Sequence, residues 1–255
     1  MAVDFNDTGS YFYEVGTDLN NLTTLTVMAW VYANAVGETG SRDVVTHWDY
    51  SNDKSWTLFY STVSNVYVFE VAYDDGNVTD VASAQLTSTQ IGKWQCIVGR
   101  WKATERSCWL DGVEGNKETT SRTSISDSAA ELGISGQWNA GVRSSANKFD
   151  GRIALVTAWN YYLADDEIVA LSNGAHPLLY RRDNLLFHMP LYDTSSINNV
   201  WNSGYAGEIY QSGHATADHP PVIHTVGSRG INYQAPATGK TLLTFDPRTG
   251  RPETV

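Results

Sequence analysis

Two stretches carry the side chains that a sugar-binding site needs. Such a site combines an exposed aromatic face with amide or carboxylate groups that bond to hydroxyls. Trp48, Tyr50 and Asn52 supply this combination in one predicted loop, and Trp138 and Asn139 supply it in another. Because an exposed aromatic patch serves a protein partner equally well, these residues predict a binding surface for either a glycan or a protein.

Catalytic groups are harder to find. Glycoside hydrolysis needs two carboxylates that face each other across a cleft, and Glu70 is the only acid in the predicted strand at residues 65–73. A lone glutamate on a strand is more often solvated than catalytic. The sequence also contains no Gly-x-Ser-x-Gly motif, and no histidine lies in a recognisable triad setting. We therefore expect no enzyme activity.

The histidines and cysteines favour structural explanations. His214, His219 and His224 recur at intervals of five, a spacing that fits neither a helix face nor a usual zinc site. Cys96 and Cys108 flank a short turn on two predicted strands and could lie near each other. Two free, buried thiols are favoured over a disulfide, because the sequence shows no secretion signal that would direct the protein to an oxidising compartment.

The elements that must position these residues are mainly strands. Short alternating or apolar runs are separated by Gly, Asn, Asp and Ser, a pattern typical of an all-β sandwich. Residues 25–31 have apolar side chains on both faces, as in a central strand. Acidic residues before Asn173-Gly174 predict one short helix at residues 165–172. Further strands are predicted at residues 56–60, 65–73, 78–86, 93–101, 106–110 and 149–161.

The prolines mark a change of organisation along the chain. None of the seven prolines precedes Pro177, and five lie between Pro220 and Pro252. Proline lacks the N–H donor of a sheet ladder. The pattern therefore predicts a sandwich at residues 1–213 followed by an extended C-terminal arm at residues 214–255.

The arm has the composition of a docking segment. Residues 228–255 carry four basic and two acidic side chains, a net charge of +2, which leaves −13 on residues 1–227. Such an arm packs on its own body or pairs with the sheet edge of another chain. We favour another chain, and we expect an oligomer or a larger assembly of protein subunits. The predicted anchors are Tyr233, Leu242, Leu243, Phe245, Arg248 and Arg251.

The charge of the whole chain disfavours other partners. A formal net charge of −11 argues against nucleic acid and anionic membranes, which need clustered Lys and Arg. The first residues show no basic segment followed by an apolar run, and no stretch of about 18 apolar residues occurs. We therefore expect a soluble protein without a signal peptide or membrane insertion.

Several motifs occur in the order found in one superfamily. They are LTVMAWV at residues 25–31, GKWQCIV at 92–98, CWLDG at 108–112 and FDGRIALV at 149–156. With these motifs the chain resembles the laminin-G-like, concanavalin A-type superfamily over about residues 1–190. The resemblance implies a two-sheet antiparallel jelly-roll sandwich. The laminarinase branch of that superfamily carries Glu-x-Asp-x-x-Glu on one strand, and this motif does not occur here.

The resemblance also implies a choice of cofactor. Many relatives bind calcium through Asp, Asn and carbonyl oxygens in loops at one rim. Turns use the same residue types, so we expect either no cofactor or calcium. The candidate ligands are Asp49, Asn52, Asp53, Asp74, Asp75 and Asn77.

Two functions remain after these exclusions. Residues 185–222 look like an extension found on members associated with bacteriophage particles. The leading hypothesis is therefore a non-catalytic assembly or decoration protein on a phage capsid or tail, located on the virion surface and anchored by its C-terminal arm. The alternative is a carbohydrate-binding lectin, with or without calcium.

Overall fold

The fold is an antiparallel β-sandwich with one helix, as the sequence predicts. A computed structural model describes most of the chain and places its strands in two large sheets. The described residues are 2–5, 10–14, 19–34, 41–49, 53–73, 78–85, 91–119, 122–139, 142–143, 147–191, 206–210, 215–222, 243–245 and 252–254. The two sheets have the jelly-roll arrangement implied by the resemblance.

The larger sheet has eight strands. They are β1 (Ala2–Asp4), β3 (Thr24–Ala33), β8 (Trp94–Lys102), β9 (Glu105–Leu110), β10 (Val113–Thr119), β14 (Gly151–Trp159), β15 (Leu185–Met189) and β17 (Ala215–Ala217). Their order is β10-β9-β8-β3-β14-β1-β17, and β15 also pairs with β14. Strand β3 therefore lies near the middle of the sheet.

The smaller sheet has seven strands, in the order β16-β2-β11-β4-β5-β6-β7. They are β2 (Ser10–Glu14), β4 (Ser41–Asp49), β5 (Asp53–Ser61), β6 (Val66–Tyr73), β7 (Val78–Gln85), β11 (Leu132–Ile134) and β16 (Ala206–Tyr210). Two short hairpins complete the described strands: β12 (Trp138–Asn139) with β13 (Val142–Arg143), and β18 (Leu243–Phe245) with β19 (Pro252–Thr254).

The main core lies between the two sheets. Alternating side chains of β3 and β8 face those of β5 and β6, and they form one continuous apolar cluster. The sheets approach closely at Gly99 of β8, where an added Cβ would lie 2.4 Å from ring atoms of Phe69. A glycine at this position therefore allows Phe69 to pack directly on the backbone of the opposite sheet.

A second apolar layer covers the outer face of the larger sheet. Helix α1 (Asp165–Ser172) has the predicted bounds, and its Ile168 and Leu171 belong to the same apolar cluster as Met28 and Trp30 of β3. Strand β3 is consequently buried on both faces, which confirms that it is a central strand. No helix in the described ranges is long and apolar enough to cross a membrane.

Strand β4 was not predicted from the sequence. It contains Trp48 and Asp49, which the sequence had placed in a loop, and the loop to β5 is reduced to residues 50–52. Most of its polar side chains are buried, including Asp43, Thr46 and His47. Because they do not alternate simply with apolar residues, the strand lacks the pattern by which β3 and β6 are recognised.

The start of the predicted arm belongs to the sandwich. Strand β17 pairs with β1 at the edge of the larger sheet, and Val222 packs against the outer apolar layer. A Cβ added at Gly174 would lie 2.5 Å from the carbonyl oxygen of Pro221, so this segment lies directly on the end of α1. Strand β17 and Val222 thus lie against the described sandwich, and the boundary at residue 213 stays a prediction.

The end of the arm contains paired strands. Leu243 and Phe245 belong to β18, whose backbone pairs with β19 in a hairpin, which differs from a fully extended arm. The remaining predicted anchors lie outside the described residues: Tyr233, Leu242, Arg248 and Arg251.

The two cysteines are free, as expected. Cys96 belongs to the outer apolar layer, whereas Cys108 belongs to the core between the sheets. Their side chains are therefore separated by the backbone of the larger sheet. Burial raises the pKa of Cys96 to about 12, which keeps it in the unreactive thiol form.

Candidate functional site

The structure corrects the prediction for Trp48. Its side chain is only 1% exposed, and Nζ of Lys54 lies 5.6 Å from the centroid of its ring. A pyranose ring can stack only on an accessible aromatic face. Trp48 therefore does not supply the exposed platform that the sequence suggested.

Within the described residues, no site shared by Trp48 and the other predicted sugar-binding residues is seen. Tyr50 and Asn52 lie outside them. The backbone of Trp138 and Asn139 forms β12, which pairs with β13. A role for these four residues in ligand binding stays a prediction.

The calcium candidates divide in the same way. Asp49 and Asp53 are directly opposite each other at the end of the β4–β5 hairpin, while Asp74, Asp75 and Asn77 lie outside the described residues, as does Asn52. Within the described ranges, no group of three or more His, Cys, Asp or Glu side chains could hold a metal ion. The calcium site therefore stays a prediction.

One of the three spaced histidines is described. Nδ1 of His219 lies 2.7 Å from the carbonyl oxygen of Pro220, a local contact that fits a structural role. His214 and His224 lie outside the described residues.

The smaller sheet carries a row of polar side chains on the face turned away from the core. Thr46 of β4 pairs with Thr57 of β5, which in turn pairs with Glu70 of β6. The neighbours of these residues along β5 and β6 belong to the core cluster. Since side chains alternate between the two faces of a strand, the row points outward.

Further polar groups share this face. Asp43 of β4 pairs with Phe59, which points the same way as Thr57. Ser55, next to this row, is the extra residue of a bulge in β5. Gln137 lies beside Asp43 and affects its ionisation. We call the following set the polar face: Asp43, Thr46, Ser55, Thr57, Glu70 and Gln137.

Many atoms of the polar face are buried without a partner. Asp43, Thr46, Ser55 and Thr57 are each at most 2% exposed. In the described part of the chain, several of these atoms have no hydrogen-bond partner: the two carboxyl oxygens of Asp43, the hydroxyls of Thr46, Ser55 and Thr57, and Nε2 of Gln137. A buried polar group without a partner costs about 1–3 kcal/mol. Such a concentration indicates a place for polar molecules, either ordered water or a ligand.

The carboxyl group of Asp43 is protonated at neutral pH. Burial raises its pKa to about 8; Gln137 opposes the shift, and the charge of Glu70 adds to it. A protonated carboxyl both donates and accepts hydrogen bonds. Glu70, interpreted from the sequence as a lone solvated residue, is therefore electrostatically linked to a second acid.

Part of the polar face has a signal in the sequence. In β5, Ser55 and Thr57 alternate with Trp56 and Leu58, which is the pattern of a strand with one polar face. In β4, a bulge between Asp43 and Val45 shifts the register. This extra residue breaks the period of two, so the sequence alone does not show that Asp43 shares a face with Thr46.

The comparisons with known proteins agree with this architecture. Residues 6–169 match the family described as the concanavalin A-like lectin/glucanases superfamily. A comparison with curated proteins finds no match.

Three solved structures share the fold at low sequence identity. A Bacteroides ovatus protein assigned as carbohydrate binding has a TM-score of 0.58 and 11% identity, over 86% of this chain and 60% of that protein. The heptameric SAP-like pentraxin of Limulus polyphemus has a TM-score of 0.53 and 9% identity, over 67% of this chain and 81% of the pentraxin.

The third structure is the CBM40 of a Ruminococcus gnavus sialidase, bound to alpha2,3 sialyllactose. It has a TM-score of 0.50 and 13% identity, over 64% of this chain and 93% of the module. These likenesses concern the fold. Together with the family match over residues 6–169, they lead to one conclusion: the chain belongs to the concanavalin A-like lectin/glucanase superfamily.

Proposed function

We propose that this protein is a non-catalytic carbohydrate-recognition module and that its polar face binds glycan hydroxyl groups. The observation that carries the proposal is the set of buried hydroxyl, amide and protonated carboxyl groups without partners. These groups both donate and accept hydrogen bonds, as sugar hydroxyls do. The carbohydrate-binding relatives from Bacteroides ovatus and Ruminococcus gnavus support the same function.

Binding without cleavage is supported by the absence of the laminarinase motif Glu-x-Asp-x-x-Glu from the sequence. Asp43 and Glu70 are electrostatically linked, but Asp43 is buried and protonated at neutral pH. Hydrolysis requires a glycosidic bond between an acid and a second, ionised carboxylate or the water that it activates. An assay for new reducing ends therefore tests this part of the proposal.

Replacing Thr57 by valine tests the proposal, because valine keeps the shape and removes the hydroxyl. One lost hydrogen bond of about 1 kcal/mol weakens binding about fivefold, and we expect about this loss for Thr57→Val and for Thr46→Val. The same variants should be more stable than the wild type without ligand, since each removes a buried hydroxyl that has no partner. A glycan array followed by calorimetry with the best glycan measures the first effect, and urea denaturation measures the second.

Thr26→Val is the matched control. The Thr26 hydroxyl is buried in the larger sheet, donates to the carbonyl of Tyr161 at 2.6 Å and accepts from the amide of Leu163 at 3.1 Å. Its loss should reduce stability and leave glycan affinity unchanged. If Thr57→Val behaves like Thr26→Val in both assays, or if the array stays blank, the proposal fails. Glycans that bind on the array should also show no new reducing ends after incubation with the protein, because we expect binding without hydrolysis.

We also propose that residues 228–255 attach the module to another protein subunit. The contrast between a net charge of +2 on this segment and −13 on the rest supports the idea, because opposite charges steer association. Decoration of a phage capsid or tail would use this contact. Deleting residues 228–255 should abolish incorporation into the particle while circular dichroism still reports a folded sandwich. Unchanged incorporation contradicts the idea.

A further inference from the structure

A second row of side chains crosses the outer face of the larger sheet. Asp4 of β1 pairs with Arg152 of β14, Arg152 pairs with Tyr32 of β3, and Tyr32 pairs with Trp94 of β8. Residues two positions away on each strand belong to the outer apolar layer, so all four side chains point to that face. All four are partly exposed. We call this set the aromatic row.

The members of the aromatic row contact one another. The Arg152 guanidinium lies 4.6 Å from the Tyr32 ring centroid, and the Tyr32 and Trp94 rings meet edge to face with centroids 5.8 Å apart. Nε of Arg152 lies 3.5 Å from Oδ2 of Asp4. The row thus places an ion pair beside an aromatic surface.

Several polar atoms at the row have no partner. Oδ1 of Asp4 and Nε of Arg152 are buried without a hydrogen-bond partner in the described chain, although Nε lies 3.5 Å from Oδ2 of Asp4. Trp30 lies two residues before Tyr32 on the same face of β3 and is only 3% exposed. Its Nε1 also has no hydrogen-bond partner in the described chain. Two donors and one acceptor beside one aromatic surface are therefore buried without hydrogen-bond partners.

A similar arrangement elsewhere on the protein is fully satisfied. Arg181 lies 4.5 Å from the ring centroid of Tyr161, and its Nε donates to Oε1 of Glu167 at 2.7 Å. This triad also combines a tyrosine, an arginine and an acidic residue, but its ion pair is hydrogen-bonded. Stacking of arginine on tyrosine alone does not explain the open hydrogen-bonding groups of the aromatic row.

We propose that the aromatic row is a second saccharide site, specific for a neutral sugar residue with two adjacent hydroxyl groups. The apolar face of the sugar stacks on Trp94, one hydroxyl donates to Asp4, and its neighbour accepts from Arg152. A neutral sugar fits because the acid and the base already balance each other's charge. The site lies on the opposite side of the sandwich from the polar face and does not depend on it. A module with both sites can bridge two glycan chains.

NMR titration tests this site directly. Methyl α-mannoside, methyl β-galactoside and methyl β-glucoside are titrated into the full chain while the indole N–H signals are followed. We expect the signals of Trp94 and Trp30 to shift with at least one glycoside, and its fully O-methylated form, which keeps the ring but has no hydroxyl donors, to cause no shift. Asp4→Asn and Arg152→Ala should weaken the effect about tenfold, equivalent to one or two hydrogen bonds.

Two control variants separate the explanations. Arg181→Ala changes the satisfied triad and should leave the titration unchanged, and Thr57→Val changes only the polar face and should also leave it unchanged. The proposal is overturned if no glycoside shifts Trp94 and Trp30, or if Arg152→Ala binds as well as the wild type. Thermal unfolding confirms that each variant is folded. If Thr57→Val loses glycan binding while Asp4→Asn and Arg152→Ala keep it, the polar face is the saccharide site and the aromatic row is not.

Discussion

Replacing Asp43 by asparagine should make the protein more stable at neutral pH. The carboxyl has a pKa of about 8 in the folded protein and an ordinary value of 3.8, and each unit of difference corresponds to about 1.4 kcal/mol. At pH 7 the folded state must keep a proton that the unfolded chain releases. Asparagine has nearly the same shape and no such requirement, so we expect a gain on the order of 4 kcal/mol.

The sign and the pH window of this effect are fixed by the direction of the shift. Between the ordinary pKa of 3.8 and the raised pKa of about 8, the unfolded chain binds fewer protons than the folded protein at Asp43. Stability from this group is therefore full at low pH, falls as the pH rises through this window, and is constant above it. Asp43→Asn and the wild type should be equally stable near the lower limit and differ most near the upper limit.

Urea denaturation of both proteins across this window is the measurement. The other acids titrate equally in the two proteins, so the difference between them isolates Asp43. Thr57→Val is a useful comparison, because its gain in stability should not depend on pH. A gap between Asp43→Asn and the wild type that is independent of pH, or a variant less stable throughout, contradicts a buried protonated carboxyl at this position.

Replacing Arg100 by methionine should cause the largest loss of stability. The Arg100 side chain is 1% exposed, and its Nη1 donates to the carbonyl of Leu163 at 2.7 Å. Its Nη2 lies 2.7 Å from Asp165 and 3.1 Å from Glu114. The guanidinium thus connects β8 to the first turn of α1 and to strand β10.

Aromatic contacts complete the environment of this arginine. Its guanidinium lies 4.8 Å from the ring of Trp109 and 4.4 Å from that of Tyr162. The Tyr162 hydroxyl donates to Glu105 at 2.6 Å, and this bond together with nearby lysines lowers the pKa of Glu105 to about 2. Methionine would keep part of the packing but remove the donor to the Leu163 carbonyl and the buried cation beside Glu114 and Asp165.

Arg100→Met removes hydrogen bonds to the Leu163 carbonyl and the Ser107 hydroxyl, whereas the acids it leaves behind are 26% and 67% exposed. Hydrogen bonds of a charged group contribute about 1.5–3 kcal/mol, and we expect a loss of about 3 kcal/mol. Hydrogen exchange should increase throughout α1, because its first turn loses its anchor. Arg181→Met is the matched control: Arg181 is 42% exposed and pairs with Glu167, and such exposed pairs contribute about 0–1 kcal/mol. Equal losses in the two variants would contradict the anchoring role of Arg100.

Elements with a regular pattern could be predicted from the sequence. Strand β3 has apolar residues on both faces, and α1 has acidic residues at its start and Asn173-Gly174 at its end. These are local signals, and both elements lie where they were expected. Strand β4 has no comparable signal, since its buried polar residues and its bulge disrupt the alternation.

The candidate sites depend on pairing between distant segments. Asp4 and Arg152 are far apart in the sequence, and the pairing of β1 with β14 makes them neighbours. A one-residue change of register would move a whole strand of side chains to the other face. Composition alone suggested that Trp48 is an exposed loop aromatic. In the structure it belongs to a strand and is buried.

The central claim is that glycans bind at the polar face, and threonine methyl NMR tests it most directly. The best glycan from the array is added to protein labelled at its threonine methyl groups. We expect the signals of Thr46 and Thr57 to shift with saturation. The signals of Thr26 and Thr157 should not shift, because these residues are buried and hydrogen-bonded in the larger sheet. Saturable binding that leaves Thr46 and Thr57 unchanged would contradict this claim.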